Sequence, residues 1–322
     1  MNTILQGDWI DRLKELEAES VQCCVTSPPY WGFRDYGMAG QLGLEKTPEE
    51  YVSKLVAGFE DVRRVLCKDG TLWLNLGDSY GGAGRGQGGN GIHSTKQTTN
   101  RGSYFDSNSL GTRSVRKDGC KAKDLVGIPW MVAFALRAAG WYLRSDIIWS
   151  KPNPMPESVT DRPTKAHEYI FLLTKSARYY YDAESIKEEA TTMDIRRPFA
   201  PGQVDYRGNG HDRRRENPNR NDLGASNVGG FERLDRNKRS VWTVPPASHS
   251  EAHFATFPPD LIKPCILAGS KSGDTILDPF GGSGTTAQVA LELGRKAISI
   301  ELNPEYVKLI EQRTNVTYGL AL

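Results

Sequence analysis

Near the amino terminus, a short motif combines residue types that suit chemistry on a ligand. An apolar run ends there in Ser27-Pro28-Pro29-Tyr30-Trp31. Two prolines fix φ and remove two N–H donors, so the chain must leave the preceding strand in a stiff, extended turn. The turn offers carbonyl oxygens, a serine hydroxyl and two aromatic faces. This set suits binding of a planar ring that carries an NH2 group. The alternative is a proline-rich loop with two buried aromatic side chains.

A second motif near the carboxyl terminus is typical of a strand, a glycine-rich turn and the start of a helix. Its glycines allow a ligand to approach the backbone closely, and one of its threonines is predicted to cap the helix. About twenty residues beyond the first aspartate, Glu301 ends the next predicted strand, where an acid suits a ribose diol. The pattern indicates a nucleoside-containing cofactor. The motif consists of Asp278, Pro279, Phe280, Gly281, Gly282, Ser283, Gly284, Thr285 and Thr286.

Together the two motifs resemble those of the amino-methylating DNA methyltransferases. Thr-Ser-Pro-Pro-Tyr-Trp looks like the catalytic motif of this family, and Asp-Pro-Phe-Gly-Gly-Ser-Gly-Thr-Thr looks like its cofactor motif. The order of the two is that of the β class. The resemblance covers residues 1–80, 120–180 and 240–315. It implies S-adenosyl-L-methionine as the cofactor and a cytosine or adenine, flipped out of double-stranded DNA, as the target.

The resemblance also implies roles for individual residues. The catalytic turn is Ser27, Pro28, Pro29 and Tyr30. The pocket for the target base is formed by Trp31, Lys151, Asn153 and Pro154. The cofactor is bound by Asp8, Phe257, Asp278, Pro279, Phe280, Gly282, Gly284, Thr285, Thr286 and Glu301. Two of these have structural alternatives, since Asp8 is also placed to cap a helix and Phe257 has the alternative role of a core aromatic residue.

The chemistry of such a turn follows from the weakness of an exocyclic amine as a nucleophile, since its lone pair is delocalised into the ring. Acceptors that face its N–H groups, the Ser27 hydroxyl and the Pro28 carbonyl, would draw the nitrogen toward tetrahedral geometry and direct the lone pair at the sulfonium methyl. Tyr30 would stack on the base and offset part of the cost of flipping it. The remaining requirement is to hold two reactants in line.

The elements that position these motifs form an α/β fold. Helices are predicted over residues 9–18, 47–67, 125–139 and 260–268, and a turn over residues 68–70. Two consecutive strands, near residues 141–151 and 168–175, lack an intervening helix and predict an antiparallel pair at the sheet edge. The resemblance implies a circularly permuted Rossmann-like methyltransferase fold, mostly parallel with an antiparallel edge strand and helices on both faces. The first strand would then lie beside the strand that ends at Glu301.

Two segments differ in composition from the catalytic domain, which is predicted to comprise residues 1–185 and 241–322. Residues 79–118 form a long basic loop rich in glycine, which either closes over DNA or is solvated. Residues 186–240 are predicted to be a DNA target-recognition insert, because its segment 194–240 has eleven basic against seven acidic residues and Arg and Asn read base edges. The alternative is a solvated loop. The predicted DNA contacts are Arg196, Arg197, Arg213, Arg214, Arg215, Arg236 and Arg239.

Composition excludes several other classes of protein. The 322 residues are 38% hydrophobic with a net charge of only +2, and no apolar run reaches the length of a membrane span. The five cysteines show no metal-binding spacing and no disulfide pattern, which favours a reducing cytoplasm and no metal. A monomer or homodimer is expected, with a cognate restriction endonuclease as a further partner.

The sequence leaves the methylated atom open between cytosine N4 and adenine N6. Family members with serine before Pro-Pro-Tyr resemble cytosine-N4 enzymes, whereas aspartate or asparagine there is typical of adenine-N6 enzymes. Ser27 therefore favours N4, with N6 as the alternative. Methylation of RNA or of a protein amide, and a DNA-binding module without catalysis, are the remaining hypotheses.

Overall fold

The computed structural model describes residues 1–33, 35–81, 120–121, 123–190, 235–246 and 257–314. The strands are β1 (Asn2–Gln6), β2 (Val21–Thr26), β3 (Leu66–Leu76), β4 (Tyr142–Ser150), β5 (His167–Thr174), β6 (Glu188–Glu189), β7 (Asp235–Arg236), β8 (Val241–Thr243), β9 (Thr275–Asp278) and β10 (Lys296–Glu301). The helices are α1 (Trp9–Lys14), α2 (Pro48–Val65), α3 (Ile128–Ala138), α4 (Pro259–Gly269), α5 (Thr285–Glu292) and α6 (Pro304–Thr314).

The described strands form a mixed sheet in the order β1-β10-β9-β2-β3-β5-β4-β8. All neighbouring strands are parallel except for the two pairs that involve β5. Strand β1 pairs with β10 in parallel, with Gln6 opposite Glu301. The prediction that the beginning of the chain lies beside the strand ending at Glu301 is therefore confirmed, as is the permuted, mostly parallel α/β fold.

The position of the antiparallel strand needs a correction. Strands β4 and β5 do pair in an antiparallel manner, as predicted. The reversed strand is not at the sheet edge, however, because β5 is inserted between β3 and β4, and the short strand β8 pairs in parallel with β4 beyond it. The sequence could not show this, since β8 comes from a segment far downstream of β4. Because of the insertion, the amino end of β5 meets the carboxyl ends of its neighbours.

Both faces of the sheet are covered at β3. Alternate residues of this strand point to opposite sides, and each side packs against another element. Leu72 and Leu74 of β3 are buried in the hydrophobic cluster that contains α2 and α3. Thr71 and Trp73 point the other way, and Gly269 at the end of α4 lies close to both of their side chains. Because β3 has no solvent-facing side, its central part is a continuous apolar run rather than an alternating one.

Two predicted element boundaries were wrong. Helix α1 ends at Lys14 instead of residue 18, because the guanidinium of Arg64 binds the carbonyl oxygens of Leu13 and Leu16, at 2.7 and 2.9 Å. Helix α2 ends at Val65, and β3 begins at once. The turn predicted over residues 68–70 lies inside that strand, where the pairing with β2 shifts register. Tertiary contacts thus decided both boundaries.

The packing of α1 on α2 leads to a prediction about stability. A Cβ added to Gly58, in the middle of α2, would lie 2.1 Å from Cη2 of the buried Trp9. Alanine in place of glycine usually stabilises a helix by about 1 kcal/mol, but overpacking a core costs about 1–3 kcal/mol. We expect Gly58→Ala to lower the free energy of unfolding by about 1–2 kcal/mol in a urea titration.

The matched control for this substitution is Ser53→Ala, on the exposed side of the same helix. It is expected to leave stability unchanged or slightly higher, because alanine is the better helix former. Equal or higher stability of Gly58→Ala would show that Trp9 does not restrict this position.

The contacts within the chain divide it into two compact units, residues 1–185 with 239–322 and residues 186–238. In the smaller unit, β6 pairs with β7 and Arg236 forms an ion pair with Glu188 at 3.0 Å. The backbone carbonyl of Arg239, in the larger unit, accepts a hydrogen bond from the Trp242 indole at 2.6 Å. Residues 82–118 of the basic loop lie outside the described residues, as do the predicted DNA contacts Arg196, Arg197, Arg213, Arg214 and Arg215.

None of the helices in the described ranges has the length and apolar character that crossing a membrane requires.

Candidate active site

The candidate site lies along one edge of the sheet, where the parallel strands end. Strand β2 leads into the Ser-Pro-Pro-Tyr turn, β9 ends at Asp278, β10 ends at Glu301, and β1 is followed by Gly7 and Asp8. Parallel pairing brings these ends to the same edge, which is where open α/β sheets bind ligands. One cavity there is lined by twelve of the predicted site residues. They are Asp8, Ser27, Pro28, Pro29, Tyr30, Phe257, Asp278, Pro279, Phe280, Gly282, Thr285 and Glu301.

Asp278 holds the two motifs together. Its carboxylate, only 3% exposed, accepts hydrogen bonds from the hydroxyls of Thr26 and Thr286, at 2.6 and 2.7 Å, and from the backbone N–H of Phe280 at 3.0 Å. Burial raises the pKa of Asp278, and these three hydrogen bonds oppose the shift. Because Thr26 immediately precedes Ser27, one side chain connects the glycine-rich loop to the Ser-Pro-Pro-Tyr turn.

Glu301 is oriented by backbone groups on either side of it. Its two carboxylate oxygens accept hydrogen bonds from the N–H groups of Gly282, at 2.8 Å, and Asn303, at 2.7 Å. Burial raises the pKa of the Glu301 carboxyl. Each carboxylate oxygen has a second lone pair. The carboxylate is therefore held at the cavity wall with acceptor capacity left on both oxygens, an arrangement that suits a pair of hydroxyl groups.

Asp8 does cap a helix and also lines the cavity. Its Oδ1 atom accepts hydrogen bonds from the N–H groups of Ile10 and Asp11, at 2.9 and 3.3 Å, and α1 follows directly. On the same wall, the Trp9 and Phe280 rings pack with their centroids 4.6 Å apart. A contact of Asp8 with the cofactor stays a prediction beside the observed cap.

Gly284 and Thr286 lie behind the glycine-rich loop, and neither lines the cavity. Gly284 has a φ of +82° and the helix α5 begins after it, so the predicted threonine cap was wrong. A Cβ at Gly284 would lie 3.0 Å from the backbone of Ile310, which leaves no room for a side chain. Thr286 is turned toward Asp278. Both residues are placed to shape the loop, and their contact with a cofactor stays a prediction.

The Ser-Pro-Pro-Tyr turn is braced from helix α2. The hydroxyl of Tyr51 donates a hydrogen bond to the Pro29 carbonyl at 2.8 Å. Burial raises the pKa of Tyr51, so this hydroxyl keeps its proton. Ser27 and Pro28 both line the cavity, and within the described part of the chain no side chain donates a hydrogen bond to the Pro28 carbonyl.

Tyr30 has polar partners that the sequence did not indicate. Its hydroxyl lies 2.7 Å from Oε2 of Glu168, 3.1 Å from Oδ1 of Asn75 and 3.4 Å from Oγ of Ser27. Lys151 forms an ion pair with the other oxygen of Glu168. Burial raises the pKa of Tyr30 well above its ordinary value, and the negative charge of Glu168 adds to the shift. The phenol is therefore neutral and donates its single proton.

The four residues predicted for the base pocket lie outside this cavity in the described chain. Trp31 donates its indole N–H to the Glu45 carbonyl at 2.9 Å and packs against the core. Lys151 lies 4.2 Å from the centre of the Trp149 ring. Asn153 is exposed and Pro154 half-buried in the turn after β4. Lys151 alone among them contacts the Tyr30 network, and the base-pocket role of all four stays a prediction.

Some residues of the cavity wall and of the Tyr30 hydrogen-bond network were missed because no local pattern marks them. Glu168 is the second residue of a mostly apolar strand, and that position was its one available signal. Asn75 lies within the apolar run of β3 and is only 4% exposed, so a buried amide in a strand was the indication. The loop after Trp31 contributes Phe33, Tyr36 and Gln41 to the wall, and helix α6 contributes Tyr306.

Comparison with known proteins identifies the family. The family model described as DNA methylase matches residues 21–312. The chain belongs to this family of N4 and N6 DNA amino-methyltransferases. It is 44% identical over 311 residues to the type II methyltransferase M.Cfr9I of Citrobacter freundii, covering 97% of this chain and 87% of that protein. It is 43% identical over 310 residues to M.SmaI of Serratia marcescens, covering 96% and 89%.

Solved structures of DNA methyltransferases share the fold. The PvuII DNA methyltransferase, described as cytosine-N4-specific, has a TM-score of 0.61 at 18% identity and covers 98% of this chain and 88% of its own. A DNA modification methylase of Thermus thermophilus, solved with S-adenosyl-L-methionine, has a TM-score of 0.57 at 22% identity, covering 98% and 93%. At these identities the likeness concerns the fold alone.

Proposed function

We propose that this DNA methyltransferase transfers a methyl group from S-adenosyl-L-methionine to cytosine N4 at a specific duplex DNA site. The observation that carries the proposal is that Ser27, Pro28 and Tyr30 line one cavity, where the Ser27 hydroxyl and the Pro28 carbonyl are the acceptors proposed for an amine. Ser27 is neutral, and the Pro28 carbonyl is not occupied by a side chain in the described structure. The two can accept from both N–H groups of an exocyclic amine.

The cofactor half of the cavity supports S-adenosyl-L-methionine as the methyl donor. Glu301 offers both carboxylate oxygens to a ribose diol, and the glycine-rich loop permits close approach of the methionine part. Asp8 and Phe280 border the same cavity and are proposed to contact the cofactor. The bound cofactor would supply an electrophilic methyl group, while Ser27, Pro28 and Tyr30 would orient the amine that receives it.

Adenine N6 is the second candidate target. A relative that is 26% identical over 98% of this chain is described as the DNA adenine methyltransferase YhdJ of Escherichia coli. Family members with serine before Pro-Pro-Tyr resemble cytosine-N4 enzymes, and Ser27 occupies that position here. The basis for preferring N4 is thus the serine at this position.

Target recognition is proposed to reside in residues 186–240, and the surrounding catalytic domain in residues 1–185 and 241–322. The arginines of the insert would neutralise phosphates and read base edges. Arg236 already pairs with Glu188, so its contact with DNA would require exchange of that partner. The proposal includes a cytoplasmic location, a cognate restriction endonuclease in the same host, and a monomer or homodimer as the active form.

The experiment that tests the proposed function is transfer of labelled methyl groups from S-adenosyl-L-methionine to unmethylated duplex DNA, followed by nucleoside analysis. N4-methylcytosine is the expected product. N6-methyladenine would overturn the assignment of the base. If the protein binds the cofactor and the label appears in RNA or protein but not in DNA, the assignment of DNA as the substrate is overturned. Ser27→Ala serves as the matched variant and is expected to reduce the rate by about 10²-fold, as for loss of one positioned polar group.

A prediction about the geometry of the turn concerns Gly77, which follows β3 beneath the Tyr30 ring. A Cβ at this position would lie 2.5 Å from Cε2 of Tyr30. Gly77→Ala must therefore displace the ring, and a shift of about 1 Å at a reacting group can cost about 10²-fold in rate. We expect the single-turnover methyl-transfer rate to fall by about 10–100-fold. The thermal midpoint and cofactor affinity serve as controls, and an unchanged rate would contradict a catalytic role of the Tyr30 position.

A further inference from the structure

The reversed strand β5 brings a carboxylate to the catalytic turn. Glu168 is the second residue of β5, opposite Trp149 of β4, while Leu76 at the end of β3 lies opposite Tyr169. Because β5 runs against its neighbours, its amino end lies at their carboxyl ends, next to the Ser-Pro-Pro-Tyr turn. A strand in the parallel direction would place Glu168 at the opposite edge of the sheet, far from Tyr30.

The contacts of Glu168 form a directed chain of hydrogen bonds. Oγ of Ser27 lies 3.4 Å from the Tyr30 hydroxyl, which lies 2.7 Å from Oε2 of Glu168. The phenol has one proton, and the nearer, charged acceptor is Glu168 rather than Asn75 at 3.1 Å. Hydrogen bonds of this kind are often long before the substrate binds. The direction of donation therefore runs from Ser27 through Tyr30 to Glu168.

The neighbours of Glu168 hold its carboxylate in place. Lys151 pairs with Oε1, and the amide of Asn75 donates to Oε2 at 3.3 Å and to the Tyr169 carbonyl at 3.0 Å. Lys165 is a second cation that faces this carboxylate. The Glu168 side chain is 16% exposed, so a proton it receives can pass to water.

Methyl transfer to an amine creates a proton that must leave. The bond from the sulfonium sulfur to the methyl carbon breaks, the bond from that carbon to the amine nitrogen forms, and the positive charge moves to nitrogen. One N–H bond must then break to restore a neutral base. Among the groups of the described chain that contact the turn, Glu168 is the one carboxylate joined to Ser27 through a shared hydroxyl.

We propose that Glu168 accepts this proton through the hydroxyl groups of Ser27 and Tyr30. The amine gives its proton to Oγ of Ser27, Ser27 gives its own to the Tyr30 oxygen, and Tyr30 gives its own to Oε2 of Glu168. Both hydroxyls end with one proton each, and Glu168 ends neutral. Glu168 acts through Tyr30 and is therefore a positioning and proton-accepting residue. The inference rests on the proposed function, since it requires transfer to an amine.

The test compares full-length wild-type protein with Glu168→Gln in single-turnover methyl transfer to unmethylated duplex DNA. Glutamine keeps an acceptor for Tyr30 but cannot take up the proton. The expected loss in rate is about 10²-fold, the usual contribution of general base catalysis. The apparent affinities for S-adenosyl-L-methionine and DNA are expected to change little.

Two further variants distinguish the proton relay, which runs from Ser27 through Tyr30 to Glu168, from a structural effect. Tyr30→Phe removes the middle hydroxyl, and it should show the same loss in rate with little change in the affinities for S-adenosyl-L-methionine and DNA. The double variant should be no slower than either single one, because both changes interrupt one chain. Glu157→Gln, which removes an acid paired with Arg162 at 2.7 Å, is the control and should retain the wild-type rate. If Glu168→Gln does not fold, as judged by thermal unfolding, Tyr30→Phe alone decides the question.

The outcomes are distinguishable from failure of the proposed function. Wild-type protein that transfers no methyl group to any base overturns the proposed function and the relay together. Active wild-type protein with a fully active Glu168→Gln variant overturns the relay only. Additive losses in the double variant also overturn it, because independent effects would mean that Tyr30 and Glu168 do not act in sequence.

Discussion

Replacing Glu301 with alanine is expected to weaken binding of S-adenosyl-L-methionine by about 10²–10³-fold, since two hydrogen bonds to a charged acceptor contribute about 3–4 kcal/mol together. The carboxylate is already held by the N–H groups of Gly282 and Asn303, so little entropy is lost when it binds a diol. Its removal also leaves both N–H groups without their acceptor and loosens the glycine-rich loop. Isothermal titration calorimetry with the cofactor gives the change directly.

The control for this prediction is Glu305→Ala, on the adjacent helix α6. Glu305 forms an exposed ion pair with Lys308 at 2.8 Å, and exposed pairs of this kind contribute little to stability. The Glu305→Ala variant should therefore bind the cofactor as the wild type does.

The affinity of the wild type for the cofactor should also depend on pH, because protonation removes the charge of the Glu301 carboxylate. Burial raises the pKa of Glu301, so the affinity should begin to fall at a higher pH than it would if this glutamate had its ordinary pKa. An unchanged dissociation constant for Glu301→Ala would contradict the ribose contact.

The second large effect is expected on stability. Asp278→Ala removes the acceptor of three donors, the hydroxyls of Thr26 and Thr286 and the N–H of Phe280. A buried donor left unsatisfied costs about 1–3 kcal/mol, and the Thr286 hydroxyl has a second acceptor in the Val25 carbonyl. We therefore expect the free energy of unfolding to fall by about 3–4 kcal/mol in a urea titration.

Asp278→Asn is the informative comparison. Burial raises the pKa of Asp278 above its value in the unfolded chain, so the folded state binds the extra proton between the two values. Wild-type stability should therefore decrease as pH rises through that window and then level off, and the asparagine variant should lack this slope. Asparagine keeps one acceptor for Phe280 and should be destabilised less than alanine.

A matched control for both substitutions is Asp274→Ala, just before the same strand. Its carboxylate accepts an exposed hydrogen bond from the Lys271 N–H at 2.7 Å, so its removal should cost no more than about 1 kcal/mol. Equal losses for Asp274→Ala and Asp278→Ala would show that the buried hydrogen bonds around Asp278 do not carry the effect.

The amino-acid sequence by itself determined the two motifs, the family they resemble and the edge of the sheet where they meet. Prolines end β2 before Tyr30, and glycines follow the strand that ends at Asp278, so each candidate motif is specified by neighbours in the chain. The position of Glu301 at a strand end was equally local. These features were predictable because backbone restrictions act over a few residues.

Only the tertiary structure decided which side chains surround the Tyr30 hydroxyl. Glu168 is 138 positions from Tyr30 in the chain, and it reaches the turn because β5 is reversed and inserted between β3 and β4. The same insertion moved the antiparallel strand away from the sheet edge. The order of strands depends on pairing and burial summed over the whole sheet, and no local pattern around Glu168 contains that information. Local restrictions thus placed the motifs, while long-range pairing selected their partners.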